Sequence, residues 1–169
     1  MSEISIRPVK PGDLPRLLIL NNNAVPAVNA LEIEDLEKLI AASLTCVVAL
    51  DGEKPVGFLL CLPEGRGYQS PNYQWLSDRY DAFAYTDRIC VDPAMQGRRI
   101  GEKLYQALFG HPGLGIRPFV CEVNERPPNP GSLRFHQRLG FVEAGRADHG
   151  DKAVVFLYRE PDSQRSMPS

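Results

Sequence analysis

The sequence predicts an α/β fold in which strands alternate with helices. Short apolar runs typical of strands are separated by longer segments with helical periodicity. Two of the runs, residues 46–50 and 56–61, are joined by five turn-forming residues, which indicates an antiparallel hairpin. A later run, residues 119–123, has the composition of a strand buried on both faces. A chain of 169 residues is long enough for one domain with a sizeable core.

The N-terminal half is predicted to begin with a short strand at residues 5–8. Asp13 is then expected to cap a helix that stops near the asparagine run 21–23. A second helix follows and leads into the hairpin. Residues 63–83 break the pattern with prolines, glycines and aromatics, and predict a functional loop or a short helix. The stripe of the second helix comprises Ile33, Leu36, Leu39 and Ile40.

The C-terminal half is predicted to start with a strand at residues 84–91, followed by a helix with an apolar face from Ile100 to Leu108. After the strand at 119–123, Asn129 is a suitable N-cap for a further helix that Gly140 would stop. Two more strands are expected near residues 141–146 and 152–159. We therefore expect one domain over residues 1–160 and a polar tail over residues 161–169.

Composition excludes several classes of protein. The formal net charge is −2 with both signs interspersed, so no broad basic face predicts nucleic acid or an anionic membrane as the principal partner. Arg98, Arg99 and the pair Arg134 and Arg138 are too few to support a nucleic-acid binder. No apolar run reaches the length of a membrane span, and the N-terminus lacks the features of a signal peptide. A cytoplasmic protein is expected.

The four cysteines are widely separated and have no metal-ligand spacing. Each lies in an apolar, strand-like run, so they are expected to be reduced, buried and small hydrophobic residues. No metal is predicted. The cysteines are Cys46, Cys61, Cys90 and Cys121.

The turn over residues 96–101 carries the clearest functional signal. It joins an apolar strand directly to an amphipathic helix, so its amide groups would lie at a helix N-terminus, which favours an anion. Arg98 and Arg99 add fixed positive charge with donors that suit phosphate oxygens. Neither the dinucleotide fingerprint nor the nucleotide-triphosphate loop is present. A pyrophosphate group is therefore the ligand expected at this turn.

Two motifs resemble the GNAT superfamily of N-acetyltransferases. Gln96-Gly97-Arg98-Arg99-Ile100-Gly101 is similar to its acyl-CoA loop, Gln/Arg-x-x-Gly-x-Gly/Ala, with Arg99 in place of the middle glycine. The segment from Asn129 to Phe141 is similar to its second motif, Asn-x-x-Ala/Ser-x-x-Phe-Tyr-x-x-x-Gly-Phe. The resemblance implies a mixed, mostly antiparallel sheet of about seven strands with about four flanking helices, splayed between strands four and five.

The resemblance also implies a reaction and a cofactor site. The chain would transfer the acetyl group of acetyl-CoA to a primary amine. Backbone groups of the strand before the turn would bind the pantetheine arm, and Asn129 would be a possible contact to it, although an N-cap at this position requires no ligand. The residues implied for the cofactor are Ile89, Cys90, Val91, Gln96, Gly97, Arg98, Arg99, Ile100, Gly101, Asn129 and Ser132.

Two residues are candidates for proton transfer. Asp87 lies where several family members carry a glutamate base, and its alternative role is an ion pair with Arg88 or another partner. His136 stands where the family commonly has a tyrosine that protonates the departing thiolate. Its alternative role is that of a half-buried structural histidine. Tyr80, Tyr85 or Tyr105 could serve as the acid instead.

The acceptor site is expected to border the first helix end and the aromatic stretch, at Asn22, Asn23, Tyr73, Trp75 and Tyr80. These aromatics could hold a cation or could simply be packing residues. The acceptor is a small-molecule or peptide amine, and polyamine, amino acid, antibiotic and protein N-terminus all stay open. An acyl-CoA-binding sensor or interaction module without efficient catalysis is the alternative function. A homodimer is expected on the resemblance alone.

Overall fold

Seven strands form within residues 3–162, the part of the chain that the computed structural model describes. Residues 163–169, most of the predicted polar tail, lie outside it. The strands are β1 Ile4–Pro8, β2 Thr45–Asp51, β3 Lys54–Pro63, β4 Ala84–Val91, β5 Phe119–Arg126, β6 Val142–Asp148 and β7 Ala153–Arg159.

Five α-helices and two short 3-10 turns occur in the same residues 3–162, one α-helix more than expected. The additional helix lies in the stretch 63–83, where the sequence left a loop and a short helix open. The 3-10 turns are Pro11–Asp13 and Pro93–Met95, and the α-helices are α1 Leu14–Asn22, α2 Ile33–Ala42, α3 Pro71–Arg79, α4 Ile100–Phe109 and α5 Pro130–Arg138.

The strands follow the order β1-β2-β3-β4-β5-β7-β6. The ladders β1–β2, β2–β3, β5–β7 and β6–β7 are antiparallel, whereas β4 and β5 run parallel. The parallel ladder pairs Ala84 with Phe119 and Tyr85 with Val120. The sheet is therefore mixed and mostly antiparallel, as predicted.

The chain divides into two compact units that share β4. The first unit comprises residues 3–62 and Thr86–Gly113. Its helices bury one apolar face each, with Leu17 on α1, Leu36 on α2 and Leu104 on α4 all fully buried. Gly57 on β3 lets α4 approach closely, because a Cβ at this position would lie 3.2 Å from Cγ2 of Ile100.

The second unit comprises Pro63–Tyr85 and residues 114–162. In it, α3 and α5 cover opposite faces of the β5-β7-β6 ladders. Trp75 of α3 stacks on Phe156 of β7, with ring centroids 3.9 Å apart. The flanking β7 residues Val155 and Leu157 point the other way and line a cavity of about 270 Å³ together with Leu133 of α5.

The structure corrects two local predictions. Asp13 does not cap α1 with its side chain; instead its carboxylate accepts hydrogen bonds from Lys10 N at 2.8 Å and from Arg7 Nη1 at 2.7 Å. The reason is that a 3-10 turn precedes the helix and places Asp13 in helical backbone geometry. The strand after α5 begins at Val142 rather than at Phe141, which is buried. Gly140 stops α5 with φ of +98°, as predicted.

Candidate active site

The turn after β4 is anchored at Asp92 in the first unit. The amide of Asp92 donates to Val56 O at 2.8 Å, and its carboxylate caps the 3-10 turn by accepting from Ala94 N at 3.0 Å. Arg16 of α1 contacts the same carboxylate at 2.8 Å. The backbone hydrogen bond from Ala94 is the largest cause that lowers the pKa of Asp92 below its usual value, and Arg16 adds to it. The loop therefore starts from a fixed position.

The backbone of the loop is shaped to present amides. Gly97 has φ of +85°, and Arg99 has φ of 57° and ψ of 34°, which is the left-handed region. Arg98 N donates to Met95 O at 3.3 Å, and the first helical hydrogen bond of α4 runs from Lys103 N to Arg99 O at 3.0 Å. Five other amides have no acceptor within residues 3–162, namely those of Gly97, Arg99, Ile100, Gly101 and Glu102.

These amides lie where the sequence predicts an anion site. Four of them belong to the consecutive residues 99–102 at the N-terminus of a 10-residue helix, where the dipole favours negative charge. The Arg99 side chain is 81% exposed and has only a distant ion pair with Glu102, at 3.9 Å. The loop residues thus fit a phosphate-containing group, and Arg99 would break no short ion pair to contact it.

Asp87 is held in a buried ion pair. Its Oδ2 accepts from Arg88 Nε at 2.8 Å, and the two side chains are 5% and 2% exposed. The Arg88 guanidinium also donates to Asn21 Oδ1 at 2.8 Å and to Asn29 Oδ1 at 2.9 Å. This network ties β4 to the connection between α1 and α2, and it is the ion pair that the sequence named as the alternative for Asp87.

The two asparagines predicted for the acceptor site lie at the end of α1. Asn22 Oδ1 accepts from Leu31 N at 2.9 Å, and its Nδ2 donates to Leu31 O at 3.1 Å. Asn22 therefore closes the α1–α2 connection with backbone-like hydrogen bonds. Asn23 is exposed at the C-cap of α1.

The site residues predicted at α5 lie in the second unit and form hydrogen bonds with one another. Asn129 is the N-cap of α5, and its Oδ1 accepts from Ser132 N at 3.3 Å. His136 is 4% exposed, and its Nδ1 lies 2.8 Å from Ser132 O. Because a carbonyl oxygen only accepts, Nδ1 carries the proton, and Nε2 of the neutral ring is an acceptor. Burial lowers the pKa of His136 below its usual value, so the ring is neutral at pH 7.

The aromatic residues predicted for the acceptor site also lie in the second unit. Tyr73 is 3% exposed and its hydroxyl donates to Pro63 O at 2.5 Å. Trp75 is stacked on Phe156, and Arg79 lies over its ring at 3.6 Å. Tyr80 stacks on Tyr158. Tyr73, Trp75 and Tyr80 therefore each contact residues of the second unit.

Glu122 is a titratable residue that the sequence did not single out. Tyr85 Oη donates to its Oε1 at 2.5 Å and to its Oε2 at 3.0 Å, and Asn72 Nδ2 donates to Oε1 at 3.0 Å. A signal was present, because Glu122 is a charged residue inside the otherwise apolar run 119–123. Its partners lie 37 and 50 residues away in the chain, so no local pattern reveals them.

Several strands also carry buried thiols, and β4 carries a buried hydroxyl. The four cysteines are buried, as predicted, and form no disulfide within residues 3–162; burial raises the pKa of Cys90 to about 12. The Thr86 hydroxyl is buried and makes no hydrogen bond within the described part of the chain. Among residues 3–162 no cluster of metal-ligand side chains occurs, and no helix there is long and apolar enough to cross a membrane.

The chain is similar to known acetyltransferases in sequence and fold. A family model described as the acetyltransferase (GNAT) family matches residues 19–141. No curated protein sequence matches the chain significantly. The ribosomal-protein-S18-alanine N-acetyltransferase from Escherichia coli shares the fold with a TM-score of 0.72 at 16% identity, over 99% of this chain and 97% of that one.

Two further structures share the fold. NAA60 from Arabidopsis thaliana, solved with a bisubstrate analogue, has a TM-score of 0.71 at 19% identity, over 94% of this chain and 98% of that one. The putative acetyltransferase yncA from Salmonella typhimurium, solved with its cofactor acetyl-CoA, has a TM-score of 0.71 at 17% identity, over 95% of each chain.

Proposed function

Because the chain belongs to the acetyltransferase (GNAT) family, we propose that it transfers the acetyl group of acetyl-CoA to a primary amine. The observation that carries the proposal is the loop after β4, with its five unengaged amides at the start of α4. We propose that these amides and Arg98 bind the pyrophosphate of the cofactor. Bound acetyl-CoA supplies a thioester carbonyl for the amine to attack.

The backbone of β4 is the proposed partner of the pantetheine arm. Ile89 and Val91 are part-exposed while the Cys90 side chain is buried, so the strand presents alternate residues as expected. Thr86 on the same strand has a buried hydroxyl without a hydrogen-bond partner in residues 3–162. Asn129 and Ser132 stay predicted contacts of the cofactor.

Glu122 is the base that the geometry favours. An ammonium group must lose a proton before its nitrogen can attack, and a carboxylate within reach accepts that proton. Glu122 is half-buried and held by two neutral donors, Tyr85 and Asn72. Asp87 is committed to Arg88, and its predicted role as base stays a second proposal. His136 is the proposed donor of the proton to the departing sulfur. Because the neutral ring that prevails at pH 7 carries its proton on Nδ1, this role requires that Nε2 first takes up a proton.

The test is release of free CoA thiol from acetyl-CoA in the presence of an amine panel. The panel contains peptides with N-terminal alanine, polyamines, amino acids and aminoglycosides. Wild-type protein is expected to release thiol with at least one class. Glu122→Gln is expected to lower kcat by about 10²–10⁴-fold, the usual contribution of a general base, whereas Asp87→Asn tests the second proposal.

Glu53→Gln is the matched control, because Glu53 is an exposed carboxylate in the β2–β3 turn. Full activity of Glu122→Gln would remove Glu122 from the mechanism. Acetyl-CoA binding without thiol release from any amine would contradict the enzyme and favour an acyl-CoA-binding sensor. Absence of acetyl-CoA binding would contradict the proposed function altogether.

A further inference from the structure

A chain of hydrogen bonds runs from the β6–β7 turn to Glu122 within the second unit. His149 Nε2 lies 3.0 Å from Asn72 Oδ1, and Asn72 Nδ2 lies 3.0 Å from Glu122 Oε1. The three residues come from the β6–β7 turn, the first turn of α3 and the middle of β5. His149 and Asn72 are 77 residues apart in sequence, so only the folded unit brings them together.

The chemistry of the groups gives this chain a direction. A carboxylate only accepts, so the amide nitrogen of Asn72 must face Glu122 and the amide oxygen must face His149. The His149 Nε2 is then the donor. Each hydrogen bond therefore points toward Glu122, and the imidazole acts on the carboxylate through the amide.

The elements that carry Asn72 and His149 are held in place by further hydrogen bonds. On α3, Ser70 Oγ caps the helix by accepting from Tyr73 N at 3.3 Å, and the buried Tyr73 hydroxyl donates to Pro63 O at 2.5 Å. In the β6–β7 turn, Arg126 donates to Asp148 Oδ1 at 2.6 Å and to Gly150 O at 2.8 Å. A group that positions a base needs such a fixed surrounding.

We propose that His149 is a positioning residue for acetyl transfer, which fixes the Asn72 amide so that Asn72 holds the Glu122 carboxylate. The proposal rests on the proposed function, in which Glu122 is the base. Asn72 and Tyr85 both donate to the carboxylate and so affect its orientation and its proton affinity. Without His149 the Asn72 amide can rotate, and its hydrogen bond to Glu122 is lost.

Further titratable and charged groups lie near the chain of hydrogen bonds. Tyr85 faces Glu122 from β4. Around His149, the charged residues are those of its own turn and the Arg126 side chain that reaches it from the end of β5. They are Asp148, Asp151 and Lys152, of which Asp148 is paired with Arg126.

The test follows the ionisation of Glu122 directly, in ligand-free full-length protein. Glutamate is labelled with ¹³C at the carboxyl carbon, and the Glu122 signal is assigned by its loss in Glu122→Gln. Removing a donor disfavours the carboxylate, so Asn72→Ala is expected to move the Glu122 titration midpoint up by roughly one pH unit. His149→Ala is expected to move it in the same direction by a smaller amount.

His149→Gln is the conservative variant, since a glutamine amide can donate to Asn72 Oδ1, and it is expected to restore the wild-type midpoint. Asp151→Asn is the control for a general effect of changing the turn, and is expected to leave the midpoint in place. An unchanged midpoint in His149→Ala, or no rescue by His149→Gln, would overturn the proposal.

Kinetics with the amine that gives thiol release provide the second measurement. His149→Ala is expected to lower kcat several-fold with the KM for acetyl-CoA unchanged, and to shift the acidic limb of the pH profile together with the Glu122 midpoint. A rise in the KM for the amine alone would instead make His149 an acceptor contact and would contradict its positioning role. The carboxyl titration does not depend on turnover, so it separates failure of this proposal from failure of the proposed function.

Discussion

Arg99 stands in a backbone conformation that glycine usually supplies, which explains why the resembling motif has glycine at this position. With φ of 57°, its Cβ crowds the backbone at a cost of about 1–2 kcal/mol. The loop nonetheless adopts the shape that exposes its amides. Arg99 in place of the middle glycine therefore causes local backbone strain, but the loop still presents its amides.

Replacing Arg99 by glycine is expected to relieve this strain. Arg99→Gly should raise the free energy of unfolding in urea by about 1 kcal/mol. Arg99→Ala keeps the left-handed conformation and loses only an exposed ion pair 3.9 Å long, so it should change stability by less than about 0.5 kcal/mol. Equal effects of the two variants would show that the backbone of Arg99 is unstrained.

Thr86 has a buried hydroxyl without a partner in residues 3–162, and such a group costs free energy in the unliganded protein. Thr86→Val is therefore expected to raise the free energy of unfolding by about 1 kcal/mol when no ligand is present. Thr45→Val, at a part-exposed strand position, is the control and should have little effect. A loss of stability in Thr86→Val would mean that the hydroxyl is already satisfied.

Among the helices, α3 packs on β6 and β7 with its Trp75 ring very close to Gly145. A Cβ on Gly145 would lie 2.5 Å from Cζ2 of Trp75, and the Trp75 ring is fixed against Phe156. Gly145→Ala should therefore lower the free energy of unfolding by about 1–3 kcal/mol. Gly131→Ala within α5, where a Cβ has open space, should instead stabilise by about 0.5–1 kcal/mol.

A second variant identifies the clash. In a Trp75→Leu background, where the ring edge is absent, Gly145→Ala should cost markedly less than in wild type. Equal costs of Gly145→Ala in both backgrounds would show that the contact does not limit this packing.

Hydrophobic periodicity predicted most of the helices and strands because each of them buries a single face. β4 was predicted with its observed bounds, and both α2 and α4 follow their apolar stripes. The helix α3 was left open because its sequence is largely polar and only Tyr73 and Leu76 are buried. Asp13 was misjudged since a 3-10 turn, which has no apolar period, precedes the helix.

The candidate site could be predicted only where it is local in sequence. The loop 96–101 is a continuous segment, so its charge and its position before a helix were visible. Tyr85 and Asn72, which donate to Glu122, come from β4 and α3, and the ring orientation of His136 depends on Ser132 O. Such contacts arise from tertiary packing and have no period along the chain.

At the scale of the whole molecule, the GNAT family predicted from two motifs is confirmed by the family model, and the mixed sheet is the predicted one. Membership extends over residues 19–141, so it includes both motifs up to Phe141. The cytoplasmic location and the homodimer stay predictions.

Acid stability is expected to depend on Glu64. Its hydrogen bond to Arg117 lowers the pKa of Glu64 to about 2 from an ordinary 4.5. A lowered folded-state pKa means stability that is complete above pH 4.5 and is lost as the pH falls toward 2. Urea unfolding of Glu64→Gln should therefore lack part of the pH dependence in this window.

Glu34→Gln, at an exposed position on α2, provides the comparison and should keep the wild-type pH dependence. If Glu64→Gln and wild type lose stability in parallel between pH 4.5 and 2, the ion pair with Arg117 does not contribute to acid stability.

Acetyl-CoA is proposed to bind to the amides of the loop after β4. A ¹H–¹⁵N correlation titration of the full-length protein with CoA and acetyl-CoA observes these amides directly. We expect saturable shifts that are largest at the amides of Gly97 and residues 99–102, with both ligands and not with NAD. Saturation with acetyl-CoA that leaves these amides unshifted would show that the cofactor binds elsewhere.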